Sequence, residues 1–261
     1  MQARRLRQGA KDPNRSSAPA VWRNEGRNEE PVAGRIGIVA AFAGELRPLV
    51  KGWRRAHAQD GVFLWEGDLG GTGCVAVAGG MGRAASERAC GLALESGPLS
   101  ALVSIGWAGA LSCGVSSGAA YPITEVVDAA TGERFASSSP AGAGAGLRLI
   151  TLDHVAQAAE KRKLAETYRA VLVDMEGAAV ARAAGSRSLP FFAFKAVSDQ
   201  LSDELPDFSR FLDSKGGLNT PKLLASLAFQ PGYWPGLARM RKNTKTGALA
   251  LAASLREMFG E

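Results

Sequence analysis

The chain has 261 residues, of which 46% are hydrophobic and 21% are charged, and its formal net charge is +6. This size and composition suit one large α/β domain with a buried core. The positive excess lies at the two ends, because residues 1–33 hold seven Lys/Arg against four Asp/Glu and residues 221–261 hold six against two. An enzyme that binds nucleic acid carries basic residues across its body, so we expect no nucleic-acid partner.

The cysteines and histidines show neither a disulfide framework nor a metal site. Cys74, Cys90 and Cys113 are odd in number, well separated and without CxxC spacing, which is typical of reduced thiols in a cytoplasmic protein. His57 and His154 lie far apart and have no ligand spacing. We therefore expect a cytoplasmic protein without a catalytic metal.

Residues 1–33 are basic and contain Ser and Pro, but no apolar stretch of signal-peptide length follows their charges. We interpret them as a disordered basic tail. No uninterrupted apolar run in the chain reaches the roughly 18 residues that a membrane-spanning helix needs.

From residue 34 onward, short apolar runs alternate with helix-like stretches. The runs lack clean polar–apolar alternation, as expected of strands covered on both faces, and they predict strands at 35–42, 73–80, 101–109, 147–152, 170–175 and 191–198. Helices are predicted at 44–53, 82–96, 153–168 and 175–185. This order indicates a three-layer α/β fold with a mostly parallel central sheet. A hairpin at 61–80 and a further strand at 119–129 make the sheet mixed.

Three carboxylates follow predicted strands, where the reactive groups of such sheets collect. Glu45 comes a few residues after the first strand, whereas Glu176 and Asp199 each directly follow a strand. A carboxylate beside a buried strand is costly unless it is paired or used. Two structural alternatives stay open: Glu176 complements the dipole of a helix capped by Asp174, and Asp199 caps the segment after it.

Five segments give the chain its resemblance to a known family. "IGIVAAFAGEL", "GGMGRAAS", "SIGWAGAL", "VDMEGAAVA" and "FKAVSD" occur in the order and spacing of the purine nucleoside phosphorylase and methylthioadenosine/S-adenosylhomocysteine nucleosidase superfamily. The most specific parts are the Met-Glu pair that opens a helix and the Ser-Asp pair that ends the next strand. The resemblance covers about residues 35–210 and implies a phosphorylase/hydrolase-type domain, which we place at 34–220. Beyond it we expect 221–261 to form a helical C-terminal extension of the same domain.

The resemblance also implies a reaction. The chain is similar to enzymes that cleave an N-ribosidic bond through an oxocarbenium-like transition state, with no metal and no organic cofactor. We therefore expect a purine nucleosidase that hydrolyses an adenosine-type nucleoside.

Roles for individual residues are implied by the same resemblance. Asp199 would protonate or hydrogen-bond purine N7, Glu176 would bind the ribose hydroxyls and stabilise positive charge, and Glu45 would take a proton from the attacking water. These roles make physical sense, because one carboxyl must act as an acid and another must stay ionised beside a cationic sugar. The implied substrate-binding residues are Met175, Ser198, Lys195, Gly106, Trp107, Ala108, Gly80 and Val155.

Several positions depart from the family pattern. The family nucleosidases usually have Arg at Lys195, a small residue at Trp107 and an aromatic residue near Val155. Superfamily phosphorylases carry cationic phosphate ligands, and one of these is an Arg just before the Gly of "IGWAG". Near that position this chain has Ser104 and the bulky Trp107 instead. Water is therefore the expected nucleophile, and a phosphate-dependent phosphorylase is the alternative.

The segment "GGMGRAAS" contains Gly80-x-Gly82-x-x-Ala85, a loose dinucleotide fingerprint. A dinucleotide-binding unit has an acidic residue about 20 residues further on, and the strand at 101–109 supplies none. We expect no NAD cofactor and interpret the glycines as backbone that passes close to a ligand.

Residues 221–261 mix apolar helix faces with Phe229, Tyr233, Trp234 and Lys/Arg, a composition typical of a membrane-surface segment. We favour a helical extension packed on the domain or on the second subunit of a homodimer, with the membrane-surface segment as the alternative. The segment is similar to that of the hopanoid-associated branch of the superfamily, whose substrate is a nucleoside joined to a lipid. That resemblance implies weak membrane-surface contact and a lipid-linked adenosine as an alternative substrate.

Overall fold

The computed structural model describes residues 34–59, 61–139, 146–206, 208–211, 213, 216–217, 219–228 and 230–260. The disordered tail expected at 1–33 lies outside the described residues. The described chain forms a mixed α/β fold in which helices lie on both faces of a central sheet of 11 strands. The expected fold class is confirmed.

The strands form from short runs rich in apolar and β-branched residues. They are β1 (Arg35–Ala40), β2 (Arg54–Gln59), β3 (Val62–Leu69), β4 (Thr72–Ala78), β5 (Leu99–Ala110), β6 (Ala120–Ile123), β7 (Glu125–Asp128), β8 (Arg134–Ala136), β9 (Arg148–Thr151), β10 (Leu172–Asp174) and β11 (Phe191–Asp199). The central strands β4, β1, β5 and β11 pair in parallel, as do β7, β9 and β10. Antiparallel pairs join β2 to β3, β3 to β4, β5 to β10, β6 to β11 and β7 to β8.

The predicted hairpin is formed by β3 and β4, which pair from Phe63 to Leu69. Its turn consists of Gly70 and Gly71, whose φ angles are 58° and 89°. A two-residue turn with two positive φ angles matches the right-handed twist of the strands. Glycine adopts this conformation without a steric penalty, so the sequence specifies the turn directly.

Three predicted elements differ in extent from the observed ones. The helix expected at 153–168 begins only at Ala158. The strand expected at 119–129 is divided into β6 and β7, because the chain leaves its partner β11 and moves beside β9. The helix expected at 44–53 is the four-residue α1 (Ala43–Leu46). Pro48 has no amide hydrogen to continue a helix, which accounts for the early end.

The other helices are α2 (Arg83–Glu95), α3 (Ala158–Tyr168), α4 (Gly177–Ser186), α5 (Thr220–Ala228) and α6 (Trp234–Phe259). Val39 of β1 belongs to the apolar cluster that contains residues of α2 and α4. Its neighbour Ile38 belongs to the opposite cluster, with Leu46 of α1 and Leu251 of α6. Adjacent residues of one strand thus face two helical layers. Among the described residues, no helix has the length and apolar character needed to cross a membrane.

The packing of α6 on the sheet is testable with two leucines of that helix. Leu251 is fully buried in the core, whereas Leu249 is 57% exposed. We expect Leu251→Ala to lower the free energy of unfolding by about 2–5 kcal/mol, because it leaves a cavity. Leu249→Ala should change it by less than about 0.5 kcal/mol. Urea unfolding of both variants makes the comparison, and equal losses would contradict the docked position of α6.

Candidate active site

A cleft that opens to solvent lies where β1, β5 and β11 end. Glu45, Glu176 and Asp199, the three carboxylates singled out from the sequence, all line it. Residues distant in sequence are therefore gathered around one opening.

Glu45 lies on α1 and is 2% exposed. Its two carboxylate oxygens accept the backbone N–H groups of Phe42 and Trp107, each at 2.8 Å. Burial raises the pKa of Glu45 to about 7, although both hydrogen bonds act in the opposite direction. This carboxyl therefore gains and loses its proton near neutral pH.

The close approach of the backbone to Glu45 depends on Gly106. A Cβ atom at that position would lie 2.9 Å from Glu45 Oε1, closer than a side chain tolerates. The absence of a side chain at Gly106 therefore leaves room for the carboxylate beside the next amide.

Glu176 directly precedes α4 and lines the cleft. Its Oε1 accepts the backbone N–H of Gly82 at 2.7 Å, and Gly82, with φ 89°, precedes the first residue of α2. Burial, followed by the nearby charge of Asp174, raises the pKa of Glu176 to about 8. The glycine loop thus supplies a backbone donor that fixes a carboxyl group.

A buried ion pair joins Lys195 to Asp174, which also lines the cleft. Lys195 Nζ is 2.8 Å from Asp174 Oδ2 and donates to Ser104 Oγ at 3.0 Å. Asp174 also accepts the Thr151 hydroxyl at 2.7 Å and the Gly177 N–H, in the first turn of α4, at 2.8 Å. Asp174 therefore has a second role besides the helix contact expected from the sequence.

Lys195 carries its charge in a fully buried position. Burial acts to lower its pKa, but the carboxylates of Asp174, Glu176 and Glu45 outweigh that effect and raise it. A cation is therefore held beneath the cleft, where it offsets the negative charge of its neighbours.

Asp199 is 4% exposed at the end of β11. Its Oδ1 accepts the hydroxyl of Ser198 at 2.5 Å, and its Oδ2 accepts the ammonium of Lys161 at 2.5 Å. Lys161, on α3, is 1% exposed and also donates to the carbonyl of Gln200 at 2.8 Å. Both oxygens of the Asp199 carboxylate thus have a fixed donor.

The substrate-binding residues expected from the sequence divide into two groups. Those that line the cleft are Met175, Ser198, Trp107, Ala108 and Val155. Gly80, Gly106 and Lys195 are not among the described residues that line it; they lie behind its wall and hold neighbouring groups. Gly80, for example, donates its N–H to the Ala41 carbonyl at 2.9 Å.

Sequence reasoning missed several residues of the cleft. Two are basic, Lys161 and His154, and three are apolar: Leu205, Phe208 and Met240. His154 hydrogen-bonds Asp153 at 2.7 Å and Glu160 at 2.8 Å, and the Asp153 contact is the main cause of its raised pKa.

One sequence signal for Lys161 was present. The buried residues of α3 are Ala158, Lys161 and Leu164, so this lysine stands at an apolar position of the helical repeat. A lysine in such a position needs a buried anionic partner. Among the described residues, no cluster of His, Cys, Asp or Glu is arranged to hold a metal ion.

A comparison with known families agrees with these motifs. A family profile described as the phosphorylase superfamily matches residues 35–148 and 121–218. The chain belongs to the phosphorylase superfamily. The assignment made from the sequence motifs is confirmed. No curated protein sequence matches the chain.

Solved structures share the fold of this superfamily member. A futalosine hydrolase of Helicobacter pylori aligns with a TM-score of 0.62 and 16% identity, covering 86% of this chain and 98% of its own. The 5′-methylthioadenosine/S-adenosylhomocysteine nucleosidase from S. pneumoniae, solved with a transition-state inhibitor, gives 0.61 and 20%, covering 86% and 99%. The corresponding nucleosidase from Neisseria meningitidis gives 0.62 and 19%, covering 86% and 98%. At these identities, the similarity establishes a common fold.

The raised pKa of Glu45 predicts a pH-dependent stability. Its folded-state pKa of about 7 lies above the ordinary value of 4.5, so its stabilising contribution is complete below about pH 4.5 and is lost as pH rises through about 7. Glu45→Gln removes this titration. We expect the melting temperature of the wild type, relative to Glu45→Gln, to fall between pH 5 and pH 8.

The exposed Glu95, at the end of α2, provides the control. Glu95→Gln should keep a constant difference from the wild type over the same pH range in thermal unfolding. A constant difference for Glu45→Gln as well would contradict the raised pKa.

Proposed function

We propose that the chain is a purine nucleosidase that hydrolyses the N-ribosidic bond of an adenosine-type nucleoside. The observation that supports this most strongly is the meeting of Glu45, Glu176 and Asp199 around one cleft. Such a reaction requires a donor at the leaving base, a negative group beside the cationic sugar and a base for water. Three carboxyl groups with different surroundings suit these three tasks.

Asp199 is assigned to the purine base. It lines the cleft beside Ser198, whose hydroxyl holds Oδ1 and which also contacts the Ala108 carbonyl at 3.1 Å. A proton or hydrogen bond delivered to N7 makes the base a better leaving group. Val155, also at the cleft, offers the base an apolar surface where an aromatic residue is usual in the family.

Glu176 is assigned to the ribose. The Gly82 amide donates to Oε1 at 2.7 Å and the Met175 amide donates to Oε2 at 3.3 Å, and each carboxylate oxygen keeps a second lone pair that can accept a sugar hydroxyl. Its ionised form would stabilise positive charge that develops on the ribosyl ring, and Met175 would pack against the sugar. A carboxyl whose pKa is about 8 would ionise more readily once a cationic ring forms beside it.

Glu45 is assigned to water. Its pKa of about 7 is close to neutral pH, where a general base combines a useful ionised fraction with adequate proton affinity. The two backbone donors from Phe42 and Trp107 hold the carboxylate in one orientation. The attacking water would lie between Glu45 and the anomeric carbon.

Water is favoured over phosphate as the nucleophile by the charges around the cleft. Among the described residues that line it, the basic side chains are Lys161 and His154, and both already contact carboxylates. Lys195 is likewise bound to Asp174. A phosphate dianion taken into the cleft would lose its hydration, and it would need an uncommitted cation to offset that cost.

A lipid-linked adenosine is the second candidate substrate. The observation in its favour is the apolar side of the cleft, formed by Phe42, Met81, Leu205, Phe208 and Met240. An extended apolar group on the ribose 5′ carbon would find a matching surface there. Faster hydrolysis of a lipid-linked adenosine than of adenosine would favour this candidate, and equal rates would contradict it.

The proposed reaction predicts that the rate of base release does not depend on phosphate. Adenine release should be measured with methylthioadenosine, S-adenosylhomocysteine, adenosine and a lipid-linked adenosine, each with no phosphate and with millimolar phosphate. For each substrate we expect the same rate with and without phosphate, and a free sugar as product: ribose from adenosine and the 5′-substituted ribose from the others. Glu45→Gln should lower kcat by about 100-fold or more, because the attacking water loses its base, while the exposed Glu95→Gln should leave it unchanged.

Two outcomes would contradict this assignment. Strict dependence on phosphate, with the sugar 1-phosphate as product, would show that the chain acts as a phosphorylase. If Glu45→Gln kept the wild-type kcat, Glu45 would not be the base that takes the proton from water.

A further inference from the structure

Lys161 and Asp199 form an ion pair in the wall of the cleft. The ammonium lies 2.5 Å from Asp199 Oδ2, and the two side chains are 1% and 5% exposed. The lysine reaches this position from α3, and its ammonium is fixed further by the Gln200 carbonyl at 2.8 Å. Both residues line the cleft. The contact therefore joins a cation to the carboxylate assigned to the leaving base.

Stability alone gives a weak reason for such a pair. Removing two charges from water costs about as much as their attraction returns, and apolar residues of similar volume often stabilise a fold as well or better. Lys161 also occupies an apolar position of its helix, between Ala158 and Leu164. Its location at the cleft is better explained by the chemistry there.

The ion pair indicates that the proton for the leaving purine originates on Lys161 and not on Asp199. Both oxygens of Asp199 accept hydrogen bonds, Oδ1 from the Ser198 hydroxyl and Oδ2 from the Lys161 ammonium. A carboxylate in this arrangement is an acceptor and has no proton of its own to give. The ammonium of Lys161 does have one, and it is already directed at Asp199 Oδ2.

We propose that Lys161 is a positioning residue that supplies, through Asp199, the proton taken up by the departing purine. This deepens the proposed function and rests on it. An N–H bond of Lys161 breaks as an O–H bond forms on Asp199, and that O–H bond breaks as N7–H forms. The electron pair of the bond between C1′ and N9 passes to the base, which leaves neutral.

The remaining protons balance at the other end of the cleft. Water adds its oxygen to C1′ and gives a proton to Glu45. After product release, Glu45 returns that proton to solvent and the neutral amine of Lys161 takes one up. The enzyme is then restored, with one water consumed for each bond cleaved.

The test compares two leaving groups in the full chain. A purine nucleoside from the substrate panel needs a proton on its base, whereas a nitrophenyl riboside releases a stable anion and needs none. Lys161→Met should lower kcat for the purine nucleoside by about 100-fold, with KM little changed, and should leave turnover of the nitrophenyl riboside near the wild-type rate. Lys163→Met, an exposed lysine on the same helix, is the matched control and should match the wild type on both substrates.

Lys161→Arg separates charge from proton transfer. Arginine keeps a positive charge near Asp199, but its guanidinium does not release a proton in a protein. We expect this variant to be as slow as Lys161→Met on the purine nucleoside and normal on the nitrophenyl riboside. Wild-type kcat for Lys161→Arg on the purine nucleoside would overturn the proposal.

The other outcomes are equally decisive. A parallel loss on both substrates would show a structural role for Lys161 and would overturn the proposal. If circular dichroism shows that Lys161→Met is unfolded, Lys161→Arg, which keeps the positive charge beside Asp199, takes its place with the same expected pattern. A folded wild type that releases base from none of the purine nucleosides would instead contradict the proposed function itself.

Discussion

The buried ammonium of Lys195 is the charge on which the arrangement of the cleft depends. It binds Asp174 beneath the surface and offsets the charges of Glu176 and Glu45. A second cation, Lys161, binds Asp199. With two cations matched to two carboxylates, the remaining two carboxyl groups have no direct cationic partner among the described residues.

The lack of a direct cationic partner helps to explain the raised pKa values of Glu45 and Glu176. Burial favours the neutral forms of Glu45 and Glu176 and moves their pKa values to about 7 and about 8. At neutral pH the empty cleft is therefore close to electrically neutral, which keeps the cost of burying the cluster low. A positive charge that develops in the cleft would favour ionisation of both groups, so the cluster suits a cationic transition state better than a neutral ligand.

The C-terminal helix completes this cleft although the family match ends at residue 218. Asn243 of α6 donates to the Ser198 carbonyl at 2.9 Å, and Trp107 donates its indole N–H to the Thr244 carbonyl at 3.1 Å. The same helix supplies Met240 to the apolar side of the cleft. α6 therefore supports the position of residues on β11 and β5 as well as covering the sheet.

The sequence predicted the features that depend on local patterns. The hairpin followed from its Gly-Gly turn, and the grouping of Glu45, Glu176 and Asp199 followed from their places after strands of one sheet. The residues from distant segments that pair with these carboxylates were harder to predict from the sequence. Lys161 stands among the charged residues of "EKRK", and only its spacing from Ala158 and Leu164 distinguishes it from a solvated lysine. The division of the strand at 119–129 depends on which neighbours are available, which no local pattern encodes.

The central claim is that a purine nucleoside lies in the cleft with its base at Asp199 and its ribose between Glu176 and Glu45. A crystal structure of the chain with a purine iminoribitol, whose cationic ring imitates the ribosyl transition state, tests it most directly. We predict N7 within hydrogen-bonding distance of Asp199 and the ring hydroxyls on Glu176. A well-ordered ligand with its base away from Asp199, or bound outside the cleft, would contradict the account.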